Sequence, residues 1–166
     1  LTILTDAHAV AGDPGLLETV RDTLFSRCSD DQLLMAHFAR PVLQFATPLN
    51  LFGSLKKPQH GIDIKKGALF PLVHGVRAMA LQCRIRETST LARLDKLVAA
   101  GAMEPGFAED LGEAMDLFSE LRLSRQLAKL QGEDETVEDN HIVVQQLSSL
   151  ERDLLRDALH LVSEFK

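Results

Sequence analysis

The apolar pattern around Pro71 limits this chain to a helical fold more than any other feature. From Leu69 to Cys83, apolar residues recur every three or four positions and fall on one face at about 100° per residue. A proline fits a helix in its first turn, so we expect this core helix to begin near Ala68. His74 lies nearly opposite the apolar face and is predicted to point away from the core. The apolar face comprises Leu69, Leu72, Val73, Val76, Met79, Ala80 and Cys83.

Capping residues and prolines predict two helices before the core helix. Asp13 is a typical N-cap residue, and a second helical pattern begins after Ser29 or Asp30. Pro41 is expected to kink or split the second helix. The Gly-, Pro- and Lys-rich stretch 48–61 predicts a loop within the domain. The residues predicted to face the core are Leu16, Leu17, Val20 and Leu24 in the first helix, and Leu34, Phe38, Val42 and Phe45 in the second.

Three more helices are predicted after the core helix. Hydroxyl residues at 88–90 cap a short helix, with Leu91, Leu94 and Val98 facing inward, and a long helix follows over about 105–131. The acidic stretch 132–140 predicts a mobile loop. A capping-box pattern at 148–151 starts the last helix. Because most connections are short, we expect an all-α fold, an antiparallel helical bundle of about six helices.

The first twelve residues are predicted to lie outside this bundle. They begin with β-branched residues, which favour a short strand, and a terminal strand needs a neighbouring sheet to be stable. Because the chain begins with Leu1 rather than Met, we expect it to be a segment of a longer protein. We therefore assign residues 1–12 to a short N-terminal strand left over from a preceding domain, and residues 13–166 to one helical domain.

The long helix changes character near its C-terminal end. Its inward face is apolar for four turns, and the same face then carries Arg122, Arg125 and Lys129. Three leucines appear on the opposite side over the same stretch. Either these leucines take over the burial and the basic residues face solvent, or the arginines stay on the bundle side and bind an anion. The apolar face consists of Phe107, Leu111, Ala114, Met115, Phe118 and Leu121, and the three leucines are Leu123, Leu127 and Leu130.

Composition and charge exclude several classes of function. Of the 166 residues, 45% are hydrophobic, and the formal net charge is −6. This balance is typical of a globular domain and argues against binding to nucleic acid or to an anionic membrane. No apolar run is long enough to span a bilayer, and Cys28 and Cys83 lack the pattern of a disulfide framework. We therefore expect a cytoplasmic protein that binds neither nucleic acid nor membrane.

The sequence lacks the patterns of a catalytic centre and of a metal site. Nucleotidyltransferases hold Mg²⁺ on two carboxylates at alternate strand positions that follow a Gly-Ser turn. Gly53 and Ser54 form such a dipeptide, but the residue two positions after Asp63 is Lys65, whose charge repels a metal ion. The six histidines show no clustered spacing, which argues against zinc. We expect the chain alone to have no catalytic residues, no bound metal and no catalytic activity.

Four segments together resemble one protein family. They are Gly61–Gly67, Leu69–Arg77, Thr88–Leu94 and Leu121–Leu127. The chain resembles the "putative nucleotidyltransferase substrate-binding domain" family from about Ile3 to Phe165. In these bacterial signal-transduction proteins the domain follows a nucleotidyltransferase-like domain, which CBS or cyclic-nucleotide-binding domains often precede. The resemblance implies a helical substrate-binding or regulatory domain that completes the active site of the upstream nucleotidyltransferase domain.

The resemblance also implies partners and site residues. The upstream domain would hold Mg²⁺ and a nucleoside triphosphate, this chain would bind no cofactor, and the substrate would be a small molecule or a protein. At the N-terminus the family has an aspartate and an arginine two residues apart, and here Asp6 matches while His8 replaces the arginine. Taken alone, His74 is more typical of a hydrogen-bonded, partly buried residue than of a ligand. The substrate- or anion-binding residues expected are Lys65, Lys66, His74, Arg77, Arg93, Arg122, Arg125 and Gln126.

Two outcomes are open for these basic residues. Packing of the core helix against the long helix would bring them together at one edge of the bundle. They would then either pair with acids, for which Asp63, Asp116 and Glu120 are candidates, or form a cleft for a phosphate or carboxylate group. A second function of another class also fits: a structural dimerisation or interaction bundle that relays signals from sensory domains, with a homodimer as the partner.

Overall fold

The described residues are mainly helical, which confirms the predicted all-α fold class. The computed structural model describes residues 1–132 and 138–166, and part of the acidic stretch predicted to be mobile lies outside these ranges. Among the described residues there are seven α-helices and one small antiparallel sheet. The helices are α1 (Thr2–Asp6), α2 (Pro14–Asp30), α3 (Gln32–Ala39), α4 (Phe70–Gln82), α5 (Thr90–Ala99), α6 (Pro105–Leu130) and α7 (Ser149–Phe165), and the strands are β1 (Ile62–Asp63) and β2 (His141–Ile142).

The described residues divide into two units. Unit 1 contains Leu1–Pro41 and Val73–Ala108, and unit 2 contains Val42–Leu72 and Glu109–Lys166. Helices α4 and α6 therefore each contribute residues to both units. None of the described helices combines the length and the apolar character that a membrane span requires.

The N-terminal segment of unit 1 is a helix, so the predicted strand is wrong. Thr2–Asp6 form α1, which contacts α2 and buries Thr5. A strand would need a partner to satisfy its backbone, and the described part of unit 1 contains no sheet. A single helical turn instead satisfies backbone groups within the segment, as in the hydrogen bond from Leu4 N to Leu1 O. The Thr5 hydroxyl also donates to Thr2 O.

The core of unit 1 forms on a face of α2 that differs from the predicted one. Leu24 is buried as expected, but Leu16 and Val20 are exposed. Phe25 and Cys28 are buried instead, on a stripe that begins at Arg21 and recurs at i+3, i+4 and i+7. Unit 1 packs this stripe against other helices in a cluster of Leu24, Phe25, Cys28, Phe38, Ala78 and Leu81.

Local capping signals set the ends of α2 and α3. Asp13 caps α2 as predicted, and its side chain accepts a hydrogen bond from Gly15 N at 2.8 Å. Helix α3 begins one residue later than expected, because Asp31 accepts from the N–H groups of Leu33 and Leu34. Its α-helical part ends at Ala39 and a 3₁₀ turn follows, which confirms the split predicted at Pro41.

Helix α4 begins as predicted but is buried on more sides than its apolar stripe suggested. A π-helical turn over Lys65–Leu69 leads into it, and Pro71 lies in its first turn. Val76 on the predicted face is fully buried. His74 is also buried, with 2% of its surface exposed, so the prediction that it points away from the core is wrong. Periodicity indicates one apolar face and does not show that a second face is covered as well.

Helices α5 and α6 occupy the predicted positions. Ser89 is the N-cap residue of α5, and Gly101 follows the helix with a φ of +68°, which glycine adopts without strain. Leu94 is buried as expected, whereas Leu91 is exposed and Leu97 is buried in its place. Helix α6 ends at Leu130, one residue before the predicted end.

In unit 2, a two-stranded sheet holds the entry to the π-helical turn. Ile62 pairs with Ile142 and Asp63 with His141 in antiparallel register. Gly61 has a φ of +81°, and a Cβ atom there would lie 2.7 Å from Ile142 O, so a larger residue does not fit.

The last helix of unit 2 starts at the predicted capping box. The Ser148 hydroxyl accepts from Glu151 N at 3.2 Å, and the Glu151 carboxylate accepts from Ser148 N at 2.7 Å. Leu155, Leu159 and Val162 of α7 are fully buried, as are Leu111 and Phe118 of α6.

Candidate functional site

The eight predicted binding residues fall into two groups, one in each unit. The first group lies in unit 1 and centres on a carboxylate that the list of candidates did not include. The second group lies in unit 2, on the π-helical turn and on the C-terminal part of α6. Unit 1 holds His74, Arg77 and Arg93, and unit 2 holds Lys65, Lys66, Arg122, Arg125 and Gln126.

In unit 1, Asp6 at the end of α1 joins two arginines. Arg77 Nη2 donates to Asp6 Oδ2 at 2.6 Å, and Arg93 Nη2 donates to Asp6 Oδ1 at 2.6 Å. Arg93 also donates to Thr5 O at 3.2 Å. Burial tends to raise the pKa of Asp6, but the hydrogen bonds from Arg77 and Arg93 outweigh it and hold the pKa below its usual value of 3.8. Asp6 is therefore ionised at neutral pH.

His74 contacts the terminal nitrogen of Arg77 that does not bind Asp6. Its Nε2 lies 2.8 Å from Phe38 O, and because a carbonyl only accepts, Nε2 carries the proton. Nδ1 is then an acceptor, and Arg77 Nη1 lies 3.3 Å from it. Burial lowers the pKa of His74 below 6.5, which favours this neutral form. A chain of hydrogen bonds thus runs from Phe38 through His74 and Arg77 to Asp6.

These residues, which we call the Asp6 cluster (Asp6, His74, Arg77 and Arg93), carry an excess of positive charge. Two guanidinium groups share one carboxylate, and His74 is neutral. Arg93 is only 2% exposed, yet its Nε and Nη1 have no hydrogen-bond partner among the described residues, and the same holds for Arg77 Nε. Buried donors without partners are rare and destabilising. The cluster therefore has the capacity to hold more negative charge than Asp6 supplies.

In unit 2, the two lysines are exposed at the start of the π-helical turn. Lys66 Nζ lies 3.2 Å from Asp63 Oδ2, and Asp63 Oδ1 accepts from Lys66 N at 2.9 Å. Asp63 therefore caps this turn and neutralises Lys66. Asp63, one of the three acids expected to pair with the basic residues, therefore pairs with Lys66. Arg77 and Arg93 pair with Asp6, which was not among those three acids.

The C-terminal part of α6 turns its basic residues toward the protein and its leucines toward solvent. Arg122, Arg125, Gln126 and Lys129 are half-buried, and we call them the basic face of α6. The three leucines opposite are 56%, 49% and 85% exposed, so the interpretation in which they take over the burial is wrong. We call them the leucine stripe, which consists of Leu123, Leu127 and Leu130.

Asn140 connects the basic face to the π-helical turn. Arg122 Nε donates to Asn140 Oδ1 at 2.7 Å, and Ile64 N donates to Asn140 O at 2.9 Å. Asn140 thus joins Arg122 to Ile64, the residue that directly precedes Lys65 and Lys66. Asn140 was not predicted as a site residue, because no local pattern distinguishes it from other loop residues.

An open cleft adjoins the end of the basic face. The described residues that line it include Gln126, Lys129, Leu130 and Asp139. Lys129 and Asp139 form an ion pair, which lowers the pKa of Asp139 through the hydrogen bond from Lys129. Across the described residues there is no group of three or more His, Cys, Asp or Glu side chains arranged to hold a metal ion.

Comparison with known proteins identifies one family. A family model with the description "Putative nucleotidyltransferase substrate binding domain" matches residues 32–166. This range contains all eight predicted binding residues, whereas α1 and α2, and with them Asp6, precede it. Searches of curated proteins and of solved structures gave no match. Because the match covers most of the chain, the chain belongs to the family described as putative nucleotidyltransferase substrate binding domain.

Proposed function

We propose that this chain binds the substrate of a nucleotidyltransferase and has no catalytic activity of its own. It would follow a nucleotidyltransferase domain that holds Mg²⁺ and the nucleoside triphosphate, in a bacterial signal-transduction protein with sensory CBS or cyclic-nucleotide-binding domains. Two unpaired thiols, Cys28 and Cys83, suit the reducing cytoplasm. The observation that carries the proposal is the orientation of α6, whose basic face is half-buried while its leucine stripe is exposed.

This orientation is the opposite of what stability alone would favour. Burying a leucine side chain contributes about 1.5–3 kcal/mol, and three leucines forgo much of this here. Arginine costs free energy to desolvate and is normally oriented toward water. Side-chain orientations that lower stability are expected where the residues serve a function. The basic face of α6 therefore has the character of a binding surface.

The chemistry of the basic face fits an anionic substrate group. Arg122 and Arg125 present planar guanidinium groups that bind phosphate or carboxylate through paired hydrogen bonds. Gln126 lies beside them and can donate or accept, which would orient a neutral part of the substrate. Lys65 adds a positive charge at the nearby π-helical turn. We propose that the substrate carries a phosphate or carboxylate group.

The leucine stripe favours a second candidate function, a homodimer that relays signals from sensory domains. Its residues are spaced at i, i+4 and i+7, which is the pattern of a helix face that packs against a partner. Light scattering after size exclusion distinguishes the two functions. A dimer that Leu127→Asp converts to a monomer would support the second candidate, and a monomer at high concentration would exclude it.

Thermal unfolding with a panel of anions tests the proposed function. Inorganic phosphate, citrate and acetate are compared with chloride at equal ionic strength, because general salt effects also change stability. An anion that binds the native state raises Tm by mass action. We expect phosphate or citrate to raise the Tm of the wild-type chain and of Arg156→Gln, whose arginine pairs only with acids of its own helix among the described residues. Arg122→Gln should lose most of this increase, and an equal increase in all three proteins would contradict the proposal.

A further inference from the structure

We infer that Arg77 and Arg93 form an oxyanion site that the Asp6 carboxylate occupies in this structure, so that α1 acts as an internal competitor of the substrate. The inference rests on the proposed function and adds a second anion-binding site to it. The ligand would be a phosphate or carboxylate group that replaces Asp6 between the two guanidinium groups.

The charges of the Asp6 cluster support a site built for a larger anion. Among the described residues, Asp6 is the only carboxylate paired with Arg77 or Arg93. Its two oxygens each accept from one arginine, while Nε and Nη1 of Arg93 and Nε of Arg77 remain buried without a partner. A phosphate group has more acceptor oxygens than a carboxylate and could satisfy donors that Asp6 leaves unused.

Arg77 is held in place by a contact that does not involve Asp6. His74 fixes Arg77 through its Nδ1, and its own Nε2 is anchored on Phe38 O. The backbone of Arg93 is fixed by α5, which also buries Leu94 and Leu97, whereas its side chain donates to Thr5 O and to Asp6. Arg77 therefore remains positioned when Asp6 leaves, which is the preorganisation that a binding site requires.

The acid, in contrast, is on a segment that can move away. Helix α1 has only five residues, and Leu1 and Ile3 are exposed. It is joined to α2 through an exposed stretch that includes Gly12 at a φ of +86°. Short helices with few buried contacts open at low cost in free energy. The family match covers residues 32–166, which contain both arginines, and it begins after α1.

Asp6→Asn tests this inference, with Asp30→Asn as the matched control. Asp30 also forms an ion pair with an arginine, Arg84, but on the exposed surface. Removing the Asp6 charge leaves two cations without a counterion, so inorganic phosphate should raise the Tm of Asp6→Asn by about 3 °C or more beyond its effect on wild type. Asp30→Asn should respond like wild type, and the double variant Asp6→Asn with Arg77→Gln should lose the additional increase. Acetate in a parallel series shows whether a carboxylate is enough.

A measurement on the wild-type chain covers the case in which Asp6→Asn is too unstable to melt. Phosphate that displaces Asp6 should move the backbone amide signals of Thr5 and Asp6 toward unfolded-chain values in NMR spectra. If these signals stay in place at saturating phosphate, or if Asp6→Asn responds to phosphate no more than Asp30→Asn does, the inference is overturned. Neither result depends on Arg122, so the failure of this inference is distinguishable from failure of the proposed function.

Discussion

His74 contributes to the geometry of the Asp6 cluster through hydrogen bonds of both its ring nitrogens. It links α3 to α4 through the hydrogen bond to Phe38 O, and it presents an acceptor to Arg77. A histidine in this position has a mainly positioning role, because its ring is buried and both ring nitrogens have protein partners. Within the Asp6 cluster, His74 therefore supports Arg77.

His74→Ala should destabilise the chain by about 1–3 kcal/mol, because it leaves the buried Phe38 carbonyl without its donor. His37→Ala is the matched control, since His37 is exposed on α3, and it should cost less than about 0.5 kcal/mol. Urea unfolding at neutral pH measures both. Equal losses in the two variants would show that His74 is not buried as described.

The stability that His74 contributes should decrease with acidification. Its folded-state pKa is held below the unfolded value of 6.5 by burial, so the unfolded chain takes up a proton first as pH falls. The contribution is complete well above 6.5 and is lost as pH falls below it toward the folded pKa. The stability difference between wild type and His74→Gln should therefore shrink between about pH 7.5 and pH 5.5. A difference that stays constant or grows over this range would contradict the burial of a neutral imidazole.

At the scale of elements, the two parts of α6 bury different kinds of side chain. Its first part buries an apolar face that includes Leu111 and Phe118, and its last part exposes the leucine stripe. The helix is continuous through the change, from Pro105 to Leu130. The change therefore comes from what packs against α6 and does not come from a kink or a break in the helix itself.

Two leucine substitutions on α6 test this description. Leu111→Ala removes a fully buried side chain and should cost about 2–5 kcal/mol of unfolding free energy. Leu127→Ala removes a half-exposed one and should cost no more than about 1 kcal/mol. Chemical denaturation measures both unfolding free energies, and the comparison requires that the two variants have the same m-value. If Leu127→Ala costs as much as Leu111→Ala, the leucine stripe is buried in solution.

Helix ends were predictable from the sequence, whereas helix faces were predictable only in part. Asp13, Pro41, Pro71 and Ser148 all act through groups within a few residues of themselves, so their effects can be read locally. Which face is buried depends on partners elsewhere in the chain. This is why the second buried face of α4, which contains His74, did not follow from periodicity.

The pairing of the candidate site residues could not be predicted for the same reason. Asp6 is 71 residues from Arg77 and 87 from Arg93, and no local pattern links positions so far apart. The family resemblance marked Asp6 as a matching position, which was the one available signal. The inward face of α6 changes from apolar to basic along the sequence, which suggested that its arginines could stay on the protein side. The sequence left this as one of two alternatives.

For the whole molecule, we predict that the chain alone transfers no nucleotide. The candidate turn at Gly53 and Ser54 is followed by Asp63, which caps the π-helical turn and pairs with Lys66. A single carboxylate engaged in this way does not provide the paired ligands that hold Mg²⁺ and a triphosphate. Incubation of the folded chain with Mg²⁺ and labelled nucleoside triphosphates should give no labelled product above a sample without protein. Labelled product that scales with chain concentration would contradict this prediction.

The central claim is that the basic face of α6 binds an anion, and NMR titration of the ¹⁵N-labelled chain tests it most directly. With inorganic phosphate at constant ionic strength, the largest saturable shifts in unit 2 should fall on the Arg122 side-chain Nε–H and on the backbone of Arg125, Gln126 and Lys129. Arg122→Gln should abolish these shifts, and Arg156→Gln should retain them. Shifts on the basic face that are no larger than those caused by chloride, or that persist in Arg122→Gln, would contradict the account.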